Sequence, residues 1–475
     1  MTRTRQRSDA IRVISRPEVP GHVSSRRAFI AQLAVIAVAA PPAVLTACGS
    51  DSSSGDKTAN SGPQRGEPGA QGDARRRLRP VLPPHEPVVR VRVFKARGVE
   101  PAIRIGEAQQ WLRLGADSLE TPEVVLRGPL HARLGPKSFS IIDANGIRAP
   151  TEGTMTLDIA TMPDADGPLK LQQRRYPGPL RLVARTDVGA GAFDVINVVD
   201  LEAYLPGVVA GELYDHWRMQ TRAAQAIAAR SFACSEHAFF GARRAYDMTD
   251  TAASQVYLGS VRHQDSIDAV AMTRGVVLAD EGLLVPGYYC SCCGGLAAVA
   301  VDAIGSSPVN DIAALRGHTG RDVCWESRIA RWTIERPVAV MTRRLIAYGK
   351  RRRRDDLANL AQIASIEATA RNRHGRPRRY TVTDINRRTA ELSAEKLQSA
   401  ANYAGPGLSA PKRRLWSSHI TVTFNGPTAT LQGRGYGHGV GMCQYGAEAL
   451  ARSGQNHQAI LAWYYPGAGL VQAYA

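Results

Sequence analysis

The sequence predicts a mixed α/β (α+β) protein, and three observations predict it. Short runs in which apolar residues alternate with polar or basic ones, VVRVRVF from Val88 and then WLRL, EVVLRG and SFSII, read as half-buried strands. RMQTRAAQAIAARSFACSEHAFF is a long helical pattern that places Ala223, Ala226, Ile227, Arg230 and Cys234 on one stripe. Near the C-terminus, GRGYGHGVGMCQYGAEALA is a glycine-rich loop running into a helix. At 475 residues and 44% hydrophobic content the chain exceeds one ordinary core, so two or three lobes are expected.

Taken in order, residues 1–47 are an address. Basic residues run through Arg26 and Arg27, and no charge follows from Ala28 to Ser50. SSRRAFI matches the twin-arginine pattern of bacterial export signals, whose cargo folds before export. LTAC resembles a lipobox, with Cys48 as the lipid-bearing first mature residue. Residues 48–85, poor in apolar side chains, read as a flexible tether. One folded domain is expected from 86 to 475, strand-rich to about 175. DVINVVDL is then a strand, Asp215 a helix N-cap, His263 to Thr273 a second helix, and GVVLADEGLLVPGYYCSCCGG a hairpin followed by a glycine turn. Arg230 on a buried face needs an acidic or polar partner, for which Glu212 is the candidate. IASIEATARNRHGRPRRYTV reads as strand, turn and strand, and HITVTF as a strand.

Lys and Arg outnumber Asp and Glu by 60 to 42, a formal +18 that favours polyanionic surroundings. The block Lys350 to Arg354 lacks interleaved aromatics, so it reads as a solvated face and no nucleic-acid partner is expected. Seven cysteines are too few for a disulfide scaffold. Cys290, Cys292, Cys293 and Cys324 are open to two readings, zinc held with Cys324 or His318, or a Cys293–Cys324 disulfide. Cys234 and Cys443 read as buried small residues.

YLPGVVAGEL followed by RAAQAIAARSFA, then DTAASQVYLG, then GRGYGHGVGMCQYGAEALA with WYYPGAGL, together resemble the SpoIID/LytB domain family, with core motifs over 174–330 and 415–470. The resemblance implies a lytic transglycosylase that cleaves glycan strands stripped of stem peptides between N-acetylmuramic acid (MurNAc) and N-acetylglucosamine (GlcNAc). Glu212 would be its single general acid/base. One acid suffices when the muramoyl C6 hydroxyl attacks in place of water, whereas hydrolytic glycosidases pair two carboxylates. Val208, Val209, Leu213 and Trp217 offer an apolar setting that would keep Glu212 protonated. Arg230, Asp250, Gln255, Ser291, His438, Gln444 and Tyr445 are the expected substrate contacts. Asp250 is also the alternative acid, and His438 alternatively bonds its own loop.

Some members of that family hold zinc through a His and two Cys. Met248 and Ser254 stand at the cysteine positions here, so neither that metal nor any cofactor is expected. Expected partners are peptidoglycan, a cell-wall amidase in the alternative reading, and the membrane through the lipid anchor, with the protein exported to the outer face of the cytoplasmic membrane or to the periplasm or cell wall. The alternative function is a non-catalytic enhancer of a cell-wall amidase.

Overall fold

The computed structural model describes residues 79–97, 103–115, 124–149, 151–162 and 167–475. The twin-arginine segment, Cys48 and nearly all of the tether lie outside the described residues. The fold is mixed α+β, and no helix among the described residues is long and apolar enough to cross a membrane. Among the described residues, contacts to the folded part are already made at Arg79, before the boundary expected at 86. Its guanidinium bonds the carboxylate and carbonyl of Asp280, and Val81 bridges to Leu283.

Strand β1 (Val88–Ala96) shows how alternation becomes packing. Val89, Val91 and Val93 are buried, while Arg90 pairs with Asp247 at 2.7 Å and Arg92 with Asp194 at 3.5 Å. The intervening basic residues therefore face carboxylates and not open water. β1 belongs to a seven-stranded sheet with β2 (Trp111–Gly115), β3 (Val124–Arg127), β4 (Thr156–Thr161), β5 (Leu180–Ala184), β6 (Phe193–Asp200) and β7 (Met248–Thr249). The spatial order is β7-β1-β6-β5-β4-β2-β3. All pairings are antiparallel except β1 with β7.

From β6 the chain enters α1 (Leu201–Glu212), which carries Pro206 inside it, and then α2 (Met219–Phe240). The expected stripe is buried: Ala223, Ala226, Ile227 and Arg230 at 0% and Cys234 at 3% exposure. Two sequence expectations fail here. Asp215 does not cap α2. Its first turn is closed from 230 residues away by Glu448, whose Oε2 accepts from the Arg218 N–H and the Thr221 hydroxyl. Arg230 does not meet Glu212 either; it forms a two-point ion pair with Glu202 at 2.7 and 2.8 Å.

The helix α3 (Gln264–Met272) and strand β8 (Val276–Asp280) follow, then β9 (Tyr289–Cys290). β9 pairs in parallel with β10 (Met442–Cys443), which leads directly into α5 (Gln444–Arg452). Between these paired strands lies a lobe with its own core of Trp332, Ile334, Met341, Leu345, Tyr380 and Leu431. In it, α4 (Val338–Arg352) carries the basic block at its exposed C-terminal end, where cations suit the helix dipole. Arg376 fastens this lobe to the rest: fully buried, it donates to the carbonyls of Cys293, Leu296 and His438. A Cβ on Gly439 would fall 2.5 Å from its Nη1, so a glycine stands there.

Candidate active site

Glu212 is the last residue of α1, where the negative end of the helix dipole disfavours a carboxylate. Val208 and Val209 are fully buried beside it, with Leu213 at 4% and Trp217 at 6% exposure. Glu212 itself remains partly accessible. Its Oε1 accepts from the Val256 N–H at 2.7 Å and from the Tyr289 hydroxyl at 3.2 Å, and its Oε2 from Gln444 Nε2 at 3.2 Å. Burial pushes its carboxyl above the ordinary glutamate value, and the three donors only partly oppose that. With Arg230 committed to Glu202, no guanidinium among the described residues bonds Glu212.

The close approach that delivers the Val256 N–H is written into α1. Gly207 and Gly211 lie four residues apart on one face. Cβ atoms there would sit 2.2 Å from the Gly259 carbonyl and 2.6 Å from the Val256 carbonyl. A Gly211→Ala variant separates two opposing effects. Helix propensity alone favours it by about 1 kcal/mol, whereas overpacking against a backbone carbonyl costs roughly 1–3 kcal/mol. The expected result, read by urea denaturation, is a net loss of stability; a gain would show that the helix does not press on Val256.

The expected substrate contacts divide into three groups. Gln444 touches Glu212 and also Gln225 Oε1 at 3.3 Å. Tyr445 stands beside it, edge-on to Trp217 at 5.2 Å with its hydroxyl 3.5 Å from that of Tyr214. Ser291 is half-buried, its carbonyl accepting the Tyr445 N–H. His438 stabilises its own loop: Nδ1 accepts from the Val440 N–H at 3.0 Å, and burial and the nearby Arg376 push the ring down to about 4. It is therefore neutral at pH 7.

Gln255 and Arg230 are fully buried. Gln255 holds the Tyr204 hydroxyl at 3.1 Å and the Ala229 carbonyl, so it supports the site from behind. Arg230 is enclosed by Glu202 and by the carbonyls of Val270 and Val276, which corrects its assignment as a substrate contact. Asp250 faces elsewhere. It pairs with Arg174 at 3.1 Å and lines a hollow of about 320 Å³ with Val93, Phe94 and Gln173, a hollow that none of the groups bonded to Glu212 lines. Desolvation pushes Asp250 up to about 6.

Tyr289 is the site residue that sequence reasoning missed; its position next to Cys290 and Ser291 in the YYCSCC element was the available signal. Gln225, one polar residue in an alanine-rich buried stretch, was a second. Met248 is buried behind Tyr204, its sulfur 3.9 Å from the hydroxyl, and with Ser254 it offers no ligand pair for the family's zinc. Cys443 is more than a small buried residue: its thiol lies with Cys293, Cys324 and Asp322, all four donor atoms within 4.8 Å of one another.

Residues 189–279 match the family model described as Stage II sporulation protein, SpoIID. That span covers β6 through most of β8, with Glu212, Arg230, Asp250 and Gln255, and stops before Tyr289 and Gln444. An uncharacterized protein of Brachyspira hyodysenteriae is 26% identical over 300 residues, 62% of this chain and 72% of its own. Stage II sporulation protein D of Bacillus amyloliquefaciens is 26% identical over 294 residues, 58% of this chain and 76% of that protein. The amidase enhancer of Bacillus subtilis is 25% identical over 289 residues, but the match spans 56% of this chain and only 40% of the enhancer's length.

Proposed function

With residues 189–279 a SpoIID domain, we propose that this protein is a peptidoglycan lytic transglycosylase acting on MurNAc–GlcNAc strands freed of stem peptides. The supporting observation is one partly accessible carboxyl, Glu212, at a helix C-terminus, raised by burial and steadied by Val256, Tyr289 and Gln444 with no second carboxylate bonded to it among the described residues. Protonated Glu212 gives its proton to the glycosidic oxygen as the bond from that oxygen to the muramoyl C1 breaks. The resulting carboxylate then takes the proton of the muramoyl C6 hydroxyl while that oxygen bonds to C1. The 1,6-anhydro ring closes, no water is consumed, and Glu212 ends protonated. Tyr445, Ser291 and the edge of Trp217 would flank the strand. Arg26 and Arg27 with the LTAC segment support export and a lipid anchor at Cys48, and the basic excess supports salt-sensitive attraction to anionic wall polymers.

The test is incubation with denuded and with intact glycan strands, followed by mass spectrometry for anhydro-muramoyl ends. Such ends from denuded strands are expected. Their absence, together with faster cleavage by an added cell-wall amidase, would establish instead the enhancer role, which the match to the amidase enhancer favours.

A pH profile follows from the same carboxyl. The acid-competent form of Glu212 is present below its raised pKa and lost as pH rises through it, so kcat/KM is expected to fall on the alkaline side. Asp250→Asn should leave that limb in place, because Asp250 bonds none of the same groups; loss of the limb in Asp250→Asn would transfer the acid role to Asp250.

A further inference from the structure

A cluster lies beside the site that the glycan chemistry does not use. Cys293 from the turn after β9, Asp322 and Cys324 from the 322–326 turn, and Cys443 at the end of β10 converge from three separate segments, all buried. Cys293 Sγ is 3.4 Å from Cys324 Sγ and 3.3 Å from Asp322 Oδ2. Two donors bonded to one tetrahedral zinc at about 2.3 Å for sulfur and 2.0–2.2 Å for oxygen stand roughly 3.5–3.8 Å apart. The cluster is therefore near the size such an ion requires.

Three further features favour a cation over a disulfide. Asp322 is fully buried, and among the described residues no lysine or arginine pairs with it; its basic neighbour is His318, with Nε2 at 3.5 Å. A buried carboxylate without a cation is costly. Cys443 Sγ accepts two backbone N–H groups, from Cys293 at 3.3 Å and Gly446 at 3.4 Å, and caps the N-terminus of α5, which fixes its sulfur beside Cys293. The His318 ring is buried beside the cluster and stacks on Trp463 at 5.4 Å. A Cys293–Cys324 bridge would leave Cys443 outside the bond, although Asp322 also caps the 322–326 turn by accepting the Cys324 N–H at 2.9 Å.

We propose that Cys293, Cys324, Cys443 and Asp322 form a structural site for a thiophilic divalent cation, zinc by preference. Binding releases the thiol protons and fills the fourfold donor set, leaving no open position for catalysis. The ion would clamp β9 to β10 one residue before Gln444, fixing the strand that carries the Glu212 contact. This site shares no residue with the His and two Cys of the family resemblance, and the proposal does not rest on the glycan reading.

The test uses the purified full chain, isolated anaerobically with reductant, with metals measured by plasma mass spectrometry. One zinc per chain is expected, and exchange for cobalt(II) should give the tetrahedral visible bands and thiolate charge-transfer absorption of a three-sulfur site. Cys443→Ser should lose the metal, His318→Gln should weaken zinc roughly 10–100-fold as an outer-shell change, and Cys234→Ser should bind as the wild type does. The cobalt spectrum of the wild type keeps the test decisive if Cys443→Ser does not fold. Zinc well below one equivalent, or undiminished metal in folded Cys443→Ser, would overturn the proposal.

Discussion

Glu212→Gln is expected to lower cleavage of denuded glycan by about 10²–10⁴-fold, the range for removing a positioned general acid. The substitution keeps the side chain's shape and its acceptor toward Val256 and Tyr289 while removing the transferable proton. Gln444 can turn its amide to meet the new NH₂ group, and Gln225 Nε2, buried without a partner, can turn with it to supply the missing donor. The fold should therefore survive. A carboxyl raised on folding stabilises the protein fully only below its unfolded value, near 4.5, and that contribution is lost as pH rises through the folded value. Glu212→Gln should thus be no less stable than the wild type at pH 8 and nearly inactive there, the combination expected of a group retained for chemistry. Activity within a few-fold of wild type, with the variant folded, would remove Glu212 from the reaction.

Glu212 was legible because a spaced motif singled it out, and its raised carboxyl because four neighbouring apolar residues could be named. Gln444 and Tyr445 were legible for the same reason. The supports were not. Val256 reaches Glu212 through a backbone N–H, which leaves no mark in residue type beyond the glycine pair that admits it. Proximity favours Asp215 as a cap, yet the Arg218 N–H it would have met bonds a carboxylate on α5, so a long-range contact overrides local preference at this buried helix end. The thiol cluster was half legible: spacing drew attention to Cys293 and Cys324, but the pairing of β9 with β10 that brings in Cys443 spans about 150 residues. The alternation at Val88 marks the strand, but its basic face meets aspartates and not water, and those distant partners leave no local mark in the sequence.

Arg230→Met is expected to cost about 3–5 kcal/mol of stability, because it strands a buried carboxylate. The register of the helix pair, in hindsight, names that carboxylate. A six-residue connection between α1 and α2 turns the chain back on itself, so residues equally far from the turn face each other. Arg230 lies eleven residues into α2, and Glu202 ten residues back from the end of α1, whereas Glu212 sits at the turn itself. Glu202 also accepts from the Tyr474 hydroxyl at 2.7 Å and from the Gly275 N–H at 3.2 Å, so one carboxylate gathers α1, α2, the start of β8 and the C-terminal segment. Burial works to raise that carboxyl, but the Arg230 guanidinium, with Tyr474 and Gly275, holds it below the usual range. Its contribution to stability is therefore present above the unfolded value and lost as pH falls through the folded one. Chemical denaturation followed by circular dichroism should show the deficit of Arg230→Met at pH 7 narrowing on acidification. Replacing both partners, Glu202→Leu with Arg230→Met, should recover much of the loss, since apolar side chains of similar size often substitute for a buried pair at little cost. A loss below about 1 kcal/mol for the single variant, or a double variant as weak as the sum of its parts, would mean that the pair is not the joint these distances describe.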